Sequence, residues 1–300
     1  MDAQVEHRQG KYGMTDRSET MRVPGPRNWA WPEGARLAMS IGLAFESFEY
    51  KSQYSHYSEP GKKDHFSLSY ADYGWKAGVW RLLDLLDGFG LKASMSTNGR
   101  AAEGHPNVVQ AATAAGHEIV GHGWVNDILM QDDDIDAEIE EIRRVTAALT
   151  DAGGVRPIGW VSPGSTGSSN TFDILKAEGY LWHGDDASDD LPFLTDTKHG
   201  PIVSMPRVNI PANDLIQWIF PTNPPDILWH SFKPTFDELY AEGVGGGPKW
   251  IEMTLHCHMA GRPTLIPAIR QCLDYARGHD GIWFARKCDI AQWALDRETV

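Results

Sequence analysis

The chain has 300 residues, 41% of them apolar, and a formal net charge of −14. That length and apolar fraction allow one large domain or two small ones with a sizeable core. The acidic balance argues against nucleic acid or an anionic membrane as partner, because both attract positive charge, and no run of about 18 apolar residues is present to span a membrane as a helix.

The first residues, MDAQVEHRQGKYGMTDRSET, are polar and lack the apolar core of a signal peptide. Residues 1–27 therefore read as an N-terminal arm and 28–300 as one domain. RLAMSIGLAF (36–45) is an apolar run ended by Glu46 and suits a buried strand. In SYADYGWKAGVWRLLDLLDGFG (69–90), Val79, Leu82, Leu83, Leu86 and Phe89 recur at three and four residues, which predicts a helix closed by Gly88 and Gly90. KASMST (92–97) reads as a second strand, Pro106 to Ala115 as a short helix, and HEIVG as a third strand.

Asp132, Asp133 and Asp134 place negative charge where a helix macrodipole favours it. Ile135, Ile139, Ile142, Val145 and Leu149 form the apolar stripe of the helix that follows, and Gly153-Gly154 ends it. PIGWVS (157–162), IVSMP (202–206), WIEMTLH (250–256) and GIWFA (281–285) read as later strands. Ser169 to Glu178, Pro263 to Arg277 and Cys288 to Leu295 read as helices. This alternation implies parallel strands joined by crossover helices, closing at this length as one barrel of seven or eight strands. The stretch 209–249, rich in Pro, Trp and Asp, looks like an insertion or lid.

Chemistry in such barrels sits where strands end and loops begin, which singles out Glu46, Asn98, His122, Ser162 and His256. Glu46 is either a capping carboxylate or a general base, and Glu49, three residues on, is an alternative. His122 stands between two glycines that leave its ring accessible; His117, five residues earlier, falls on the opposite strand face and is no chelating partner. His256 and His258 share a face if their segment is extended, and His256 suits a general acid because imidazole titrates near neutrality. The turn SPGSTGSSNT (162–171), with Ser162 and Gly164, offers backbone N–H groups to an oxyanion or, more simply, caps a helix. DDASDDLPF (185–193) is either a solvated loop or a hold for a sugar, an amine or a cation. Cys257, Cys272 and Cys288 show no paired spacing and suggest free thiols in a reducing, cytoplasmic setting.

In order, LAFES, YGWKAGVWRLLDLLDGFGLKAS, AAGHEIVGHGW, LKAEGYLW, DDLPF and HCHMAGRP…LDYARGHDGIWFARKCDIAQW resemble the polysaccharide deacetylase (NodB-homology) superfamily over residues 28–297. Within it they are most similar to the metal-independent allantoinase and cyclic-imidase-like branch. The resemblance implies a distorted (β/α)7 barrel that hydrolyses a C–N bond. The family's paired aspartates fall on Glu46 and Ser47, and its two histidines four apart fall on His122 and Asn126. The arginine of its third motif is missing, with Arg262 or Arg207 as substitute, and its C-terminal histidine is His256.

Serine hydroxyl and amide oxygen are poor zinc ligands. The expectation is a cofactor-free site, with zinc or another divalent metal on Glu46, His122 and His256 or His258 as the alternative. Glu46, raised in pKa by burial, would take a proton from water. His122 and Asn126 would orient that water or polarise the carbonyl, the 162–168 turn would hold the oxyanion, and His256 would protonate nitrogen. Trp124, Trp160 and Trp182 either clamp a flat ring or pack the core. The expected partner is a small cyclic imide, ureide or lactam, with homo-oligomerisation possible. The other readings are a metal-dependent N-deacetylase of an acetamido sugar and a barrel that binds a ligand without turnover.

Overall fold

The computed structural model describes residues 29–56, 59–207, 213–218 and 223–298. The expected N-terminal arm, residues 1–27, lies outside the described residues.

The chain order is β1 (Leu37–Phe45), α1 (His65–Tyr73), a π turn (Gly74–Gly78), α2 (Val79–Phe89), β2 (Ser94–Thr97), α3 (Gly99–Gly104), α4 (Pro106–Ala114) and β3 (Glu118–Gly121). It continues with α5 (Ile135–Gly153), β4 (Gly159–Trp160), α6 (Thr171–Ala177), β5 (Trp182–His183), β6 (Phe193–Thr195) and β7 (Ile202–Ser204). The last elements are α7 (Asp214–Trp218), α8 (Ile227–Val244), β8 (Trp250–His256), α9 (Cys257–Ala260), α10 (Ile266–Arg277), β9 (Ile282–Phe284) and α11 (Lys287–Glu298). The strands form one curled sheet in the order β6-β7-β5-β4-β3-β2-β1-β8, with β9 also pairing β1. Every pairing is parallel except that of β6 with β7. Beyond β7, Asn213 makes an isolated parallel bridge to Thr254 and draws the open side of the barrel towards β8. The (β/α) barrel expected from the alternation is therefore present, distorted as the resemblance implies, with β5 and β6 added. Those two strands are two and three residues long, too short to show a period of two.

β1 is buried along its whole length, as its largely apolar run requires for a central parallel strand, with Ser40 accepting from Trp250 Nε1. In α2 the stripe Val79, Leu82, Leu83 and Leu86 is buried as read. In α5, Ile142, Val145 and Leu149 are buried while Ile135 stays exposed in the first turn. Asp134 caps α5 by accepting from the Ala137 N–H at 3.0 Å.

The stretch read as an insertion, 209–249, is in part a layer of the barrel. α8 sends Leu228, Phe232 and Phe236 into the main core. Residues 208–212 and 219–222 lie outside the described residues.

The helix read over 69–90 is divided by the π turn, which presses against α9. A Cβ on Gly78 would lie 1.9 Å from the carbonyl oxygen of Cys257, a backbone atom that cannot swing away. Gly78→Ala should cost about 3 kcal/mol, the upper end of the usual range for overpacking, read as a lower denaturant midpoint. An unchanged midpoint would show that the α9 junction is not rigid.

Candidate active site

The loops at the carboxyl end of the barrel are tied to one another before any ligand is considered. Asn98, directly after β2, accepts from the Ser47 N–H at 2.8 Å and donates to the carbonyl of His122, clamping the ends of β1 and β3 together. Asn126 donates its backbone N–H to the Ser47 carbonyl at 2.8 Å. Asp127 accepts from the N–H groups of Glu49, Tyr50 and Lys51.

At the centre of this frame is Glu46, whose side chain is 2% exposed. Its Oε1 lies 3.4 Å from His122 Nε2 and 3.7 Å from His256 Nε2, and its Oε2 lies 3.8 Å from His258 Nδ1. Gln53 donates Nε2 to Oε2 at 3.0 Å. Three histidines distant in sequence from Glu46 thus converge on one carboxylate. Glu49, the alternative base, instead faces out and pairs with Lys63 and Arg100.

Each imidazole is oriented from behind. His122 Nδ1 lies 2.5 Å from the Val161 carbonyl, so Nδ1 donates and Nε2 faces Glu46. His256 Nδ1 donates to Asp214 Oδ1 at 2.6 Å, and its backbone N–H donates to Oδ2 at 2.7 Å. Asp214 is fully buried at the start of α7. Its place within the stretch read as a lid concealed it in the sequence. His258 is not extended beside His256 as the i, i+2 reading required. The chain turns into α9 after His256, and that turn brings His258 to Glu46 from another side.

Charge sets the protonation pattern. Burial alone would raise Glu46, but the charges of His256 and His258 and the bond and charge of His122 outweigh it, holding the carboxyl at about 2. The expected rise does not occur, because three imidazoles share the pocket. Burial opposes a charged His256, yet Asp214 and then Glu46 lift it above 6.5. His258 falls to about 4, chiefly from burial. Asp185 is raised, chiefly by burial, although it accepts from the Ser162 N–H.

Glu46, His122 and His256 line one cavity of about 560 Å³, together with Asn126, Gly164, Asp185 and Arg207. Gln53 Oε1, Asn126 Oδ1 and Asp185 Oδ2 are buried there without a partner among the described residues. Unpaired buried polar atoms are costly, and all three belong to residues that line this cavity.

Other expected site residues stand elsewhere. Trp124 packs under the Arg144 guanidinium, 3.3 Å away, and Trp160 packs against Tyr180 in the core. Trp182 is buried with its Nε1 donating to Glu118. None of the three lines the cavity, because each fills the space over a glycine of a neighbouring segment: Gly99, Gly121 and Gly159. Ser162 is buried behind the wall, its hydroxyl accepting from Trp160. In the 162–168 turn, the Ser162, Ser165 and Thr166 N–H groups are engaged within the protein, which weakens the oxyanion role expected of it. Arg262 stacks on Tyr70 and Tyr73 outside the cavity, whereas Arg207 lines it.

Two of the positions where the family's metal ligands are expected carry weak donors. Ser47 and Asn126 offer a hydroxyl and an amide, poor partners for zinc. Among the described residues, no three of His, Cys, Asp and Glu are grouped to hold an ion. Among the described residues, no helix is long and apolar enough to cross a membrane.

Comparison with known proteins agrees with this architecture. A family profile described as polysaccharide deacetylase matches residues 58–182. A putative polysaccharide deacetylase of Schizosaccharomyces pombe is 24% identical, over 87% of this chain and 91% of its own. The crystal structure of PuuE allantoinase superposes with a TM-score of 0.82 at 32% identity, covering 92% of this chain and 96% of that one. A probable polysaccharide deacetylase from Pseudomonas aeruginosa PAO1 gives 0.80 at 32% identity, covering 89% and 94%.

Proposed function

The chain belongs to the polysaccharide deacetylase (NodB-homology) family of hydrolases, and from that premise we propose that it hydrolyses a non-peptide C–N bond in a small amide, cyclic imide or ureide without a metal. The observation that carries the reading is the buried Glu46 ringed by three imidazoles within 4 Å, in a cavity that Asn126 also lines. The likeness to PuuE allantoinase supports a small cyclic substrate, as does a cavity volume typical of small-molecule sites.

Protonated His256 is the general acid for the leaving nitrogen, oriented by Asp214. Glu46 takes the proton from water. A carboxyl held at about 2 is a weak base, but much of what holds it there is the charge on His256. When His256 passes its proton to nitrogen, that charge disappears and burial lifts Glu46. The two transfers are coupled: base strength rises as the acid is consumed. His122, with Nε2 towards Glu46, orients the water. Arg207 faces the substrate carbonyl and stabilises the developing oxyanion, while the unpaired Asn126 Oδ1 and Asp185 Oδ2 accept from N–H groups of the substrate. The expected setting is cytoplasmic, with a small molecule as the partner and a homo-oligomer as the assembly.

A panel of cyclic imides, ureides and acetamido sugars, assayed beside elemental analysis, tests this reading. Ring opening of an imide or ureide should proceed at an unchanged rate after dialysis against a chelator. Loss of activity that zinc restores would overturn the metal-free scheme. Release of acetate from the sugars alone would overturn the substrate class.

A further inference from the structure

The cavity does not end at the catalytic groups. It continues along the barrel axis past Gly42 and Ser96 to Glu252 and Lys287, which line the same space. These two are buried and form an ion pair, Lys287 Nζ to Glu252 Oε1 at 2.5 Å. Beneath them the structure is fully tied. The Lys287 N–H donates to Ser94 Oγ at 2.7 Å. Glu118 accepts from Ser94, Trp182 and the Cys288 N–H, fixing the start of α11 under the barrel. Glu118 already performs the anchoring, so the Lys287–Glu252 pair is not required for it.

Its depth follows from the register. Glu252 pairs with Ser40, Thr254 with Gly42 and His256 with Ala44. The Glu252 carboxylate reaches up one layer, to 2.7 Å from where a Cβ on Gly42 would stand. Glycine at 42 thus leaves room for the carboxylate and for the passage. Two residues of strand, roughly 7 Å, separate that level from His256. This span fits a five- or six-membered ring carrying one short arm.

The pair supplies donors and an acceptor side by side. An ammonium carries three N–H groups and a carboxylate about four acceptor positions, so one ion pair leaves capacity on both. Its net charge is zero and it is buried, so a further anion would have to divide the ammonium between two carboxylates. A neutral group with a carbonyl next to an N–H matches both members at once.

We propose that Lys287 and Glu252 form an inner subsite that recognises a neutral carboxamide or urea arm of the substrate, the carbonyl accepting from Lys287 and the N–H donating to Glu252. This deepens the reading of a small C–N substrate and rests on it.

Three probes sharing one ring test the subsite by calorimetry: succinimide, its 3-carboxamidomethyl derivative and its 3-carboxymethyl derivative. The carboxamide arm should tighten binding about tenfold over succinimide, and the carboxylate arm should not. The paired change Lys287→Met with Glu252→Gln leaves no lone buried charge. It should erase the gain while succinimide binding and the melting curve stay near wild type. Gly42→Val, which keeps both charged residues, should also erase the gain by narrowing the passage. A carboxamide gain that is absent or that survives the paired change overturns the subsite, as does preference for the carboxylate or failure of all three probes to bind. Arm-dependent binding without ring opening would leave the subsite standing and remove the proposed reaction instead.

Discussion

Glu46→Gln should lower turnover by about a thousandfold, within the usual range for removing an acid–base group, while substrate affinity changes only a few-fold. Glutamine keeps the shape of the side chain and can still accept from Gln53, which holds the carboxylate at 3.0 Å. It cannot take a proton from water, and it removes the negative charge that helps lift His256. Both losses fall on kcat, because neither group is needed to hold a neutral substrate in the ground state. Single-turnover kinetics with calorimetry separates the two effects. Undiminished turnover would show that Glu46 is a structural counter-ion to the histidines. Loss of binding together with turnover would place it in substrate recognition instead. Glu49→Gln serves as a control and should be near neutral, since that carboxylate faces Lys63 and Arg100 at the surface.

What the sequence made legible was determined by what is local. The nine-residue apolar run of β1 and the 3.6-residue stripe of α2 announce themselves because a buried central strand and an amphipathic helix each impose a period on their own residues. The barrel follows from their alternation, and strand ends point to Glu46, His122 and His256. The readings that failed depend on neighbours. Trp124, Trp160 and Trp182 sit beside strand ends, but each packs over a glycine of an adjacent segment, a match that one segment cannot reveal. Arg262 is two residues past the α9 turn, and that turn directs it to Tyr70 rather than to the cavity. The direction of the Glu46 shift was misjudged because burial was visible in an apolar strand, whereas the three imidazoles that outweigh burial come from positions 122, 256 and 258. Asp214 had a faint signal: Asn213-Asp214 opens an apolar stretch, DLIQW, as a helix start does. What it orients could not be read without β8 beside it.

Asp214 is a positioning residue, and its removal should change the pH profile as well as the rate. His256 acts as an acid, so activity requires its proton and falls as pH rises through its pKa. The groups facing it are Asp214 from α7, Glu46 from the end of β1, His258 from α9, and Arg207 beyond β7. Burial lowers its pKa, Asp214 and Glu46 raise it, Arg207 lowers it, and the balance lies above 6.5. Glu46 titrates near 2 and so sets no acid limb near neutrality. In Asp214→Asn the strongest supporting charge is gone. The basic limb should move to lower pH, and kcat at neutral pH should fall by about a hundredfold or more, with KM little changed. A role confined to holding the fold would reduce the amount of active enzyme and leave the limb where it was. Asp214 lies behind the imidazole at 2.6 Å from Nδ1 while Nε2 faces Glu46, so its substitution cannot alter substrate contact directly. A basic limb that stays in place in the variant would therefore mean that the proton delivered to nitrogen comes from a group other than His256, with Asp185, the cavity carboxyl that burial raises, the next to test.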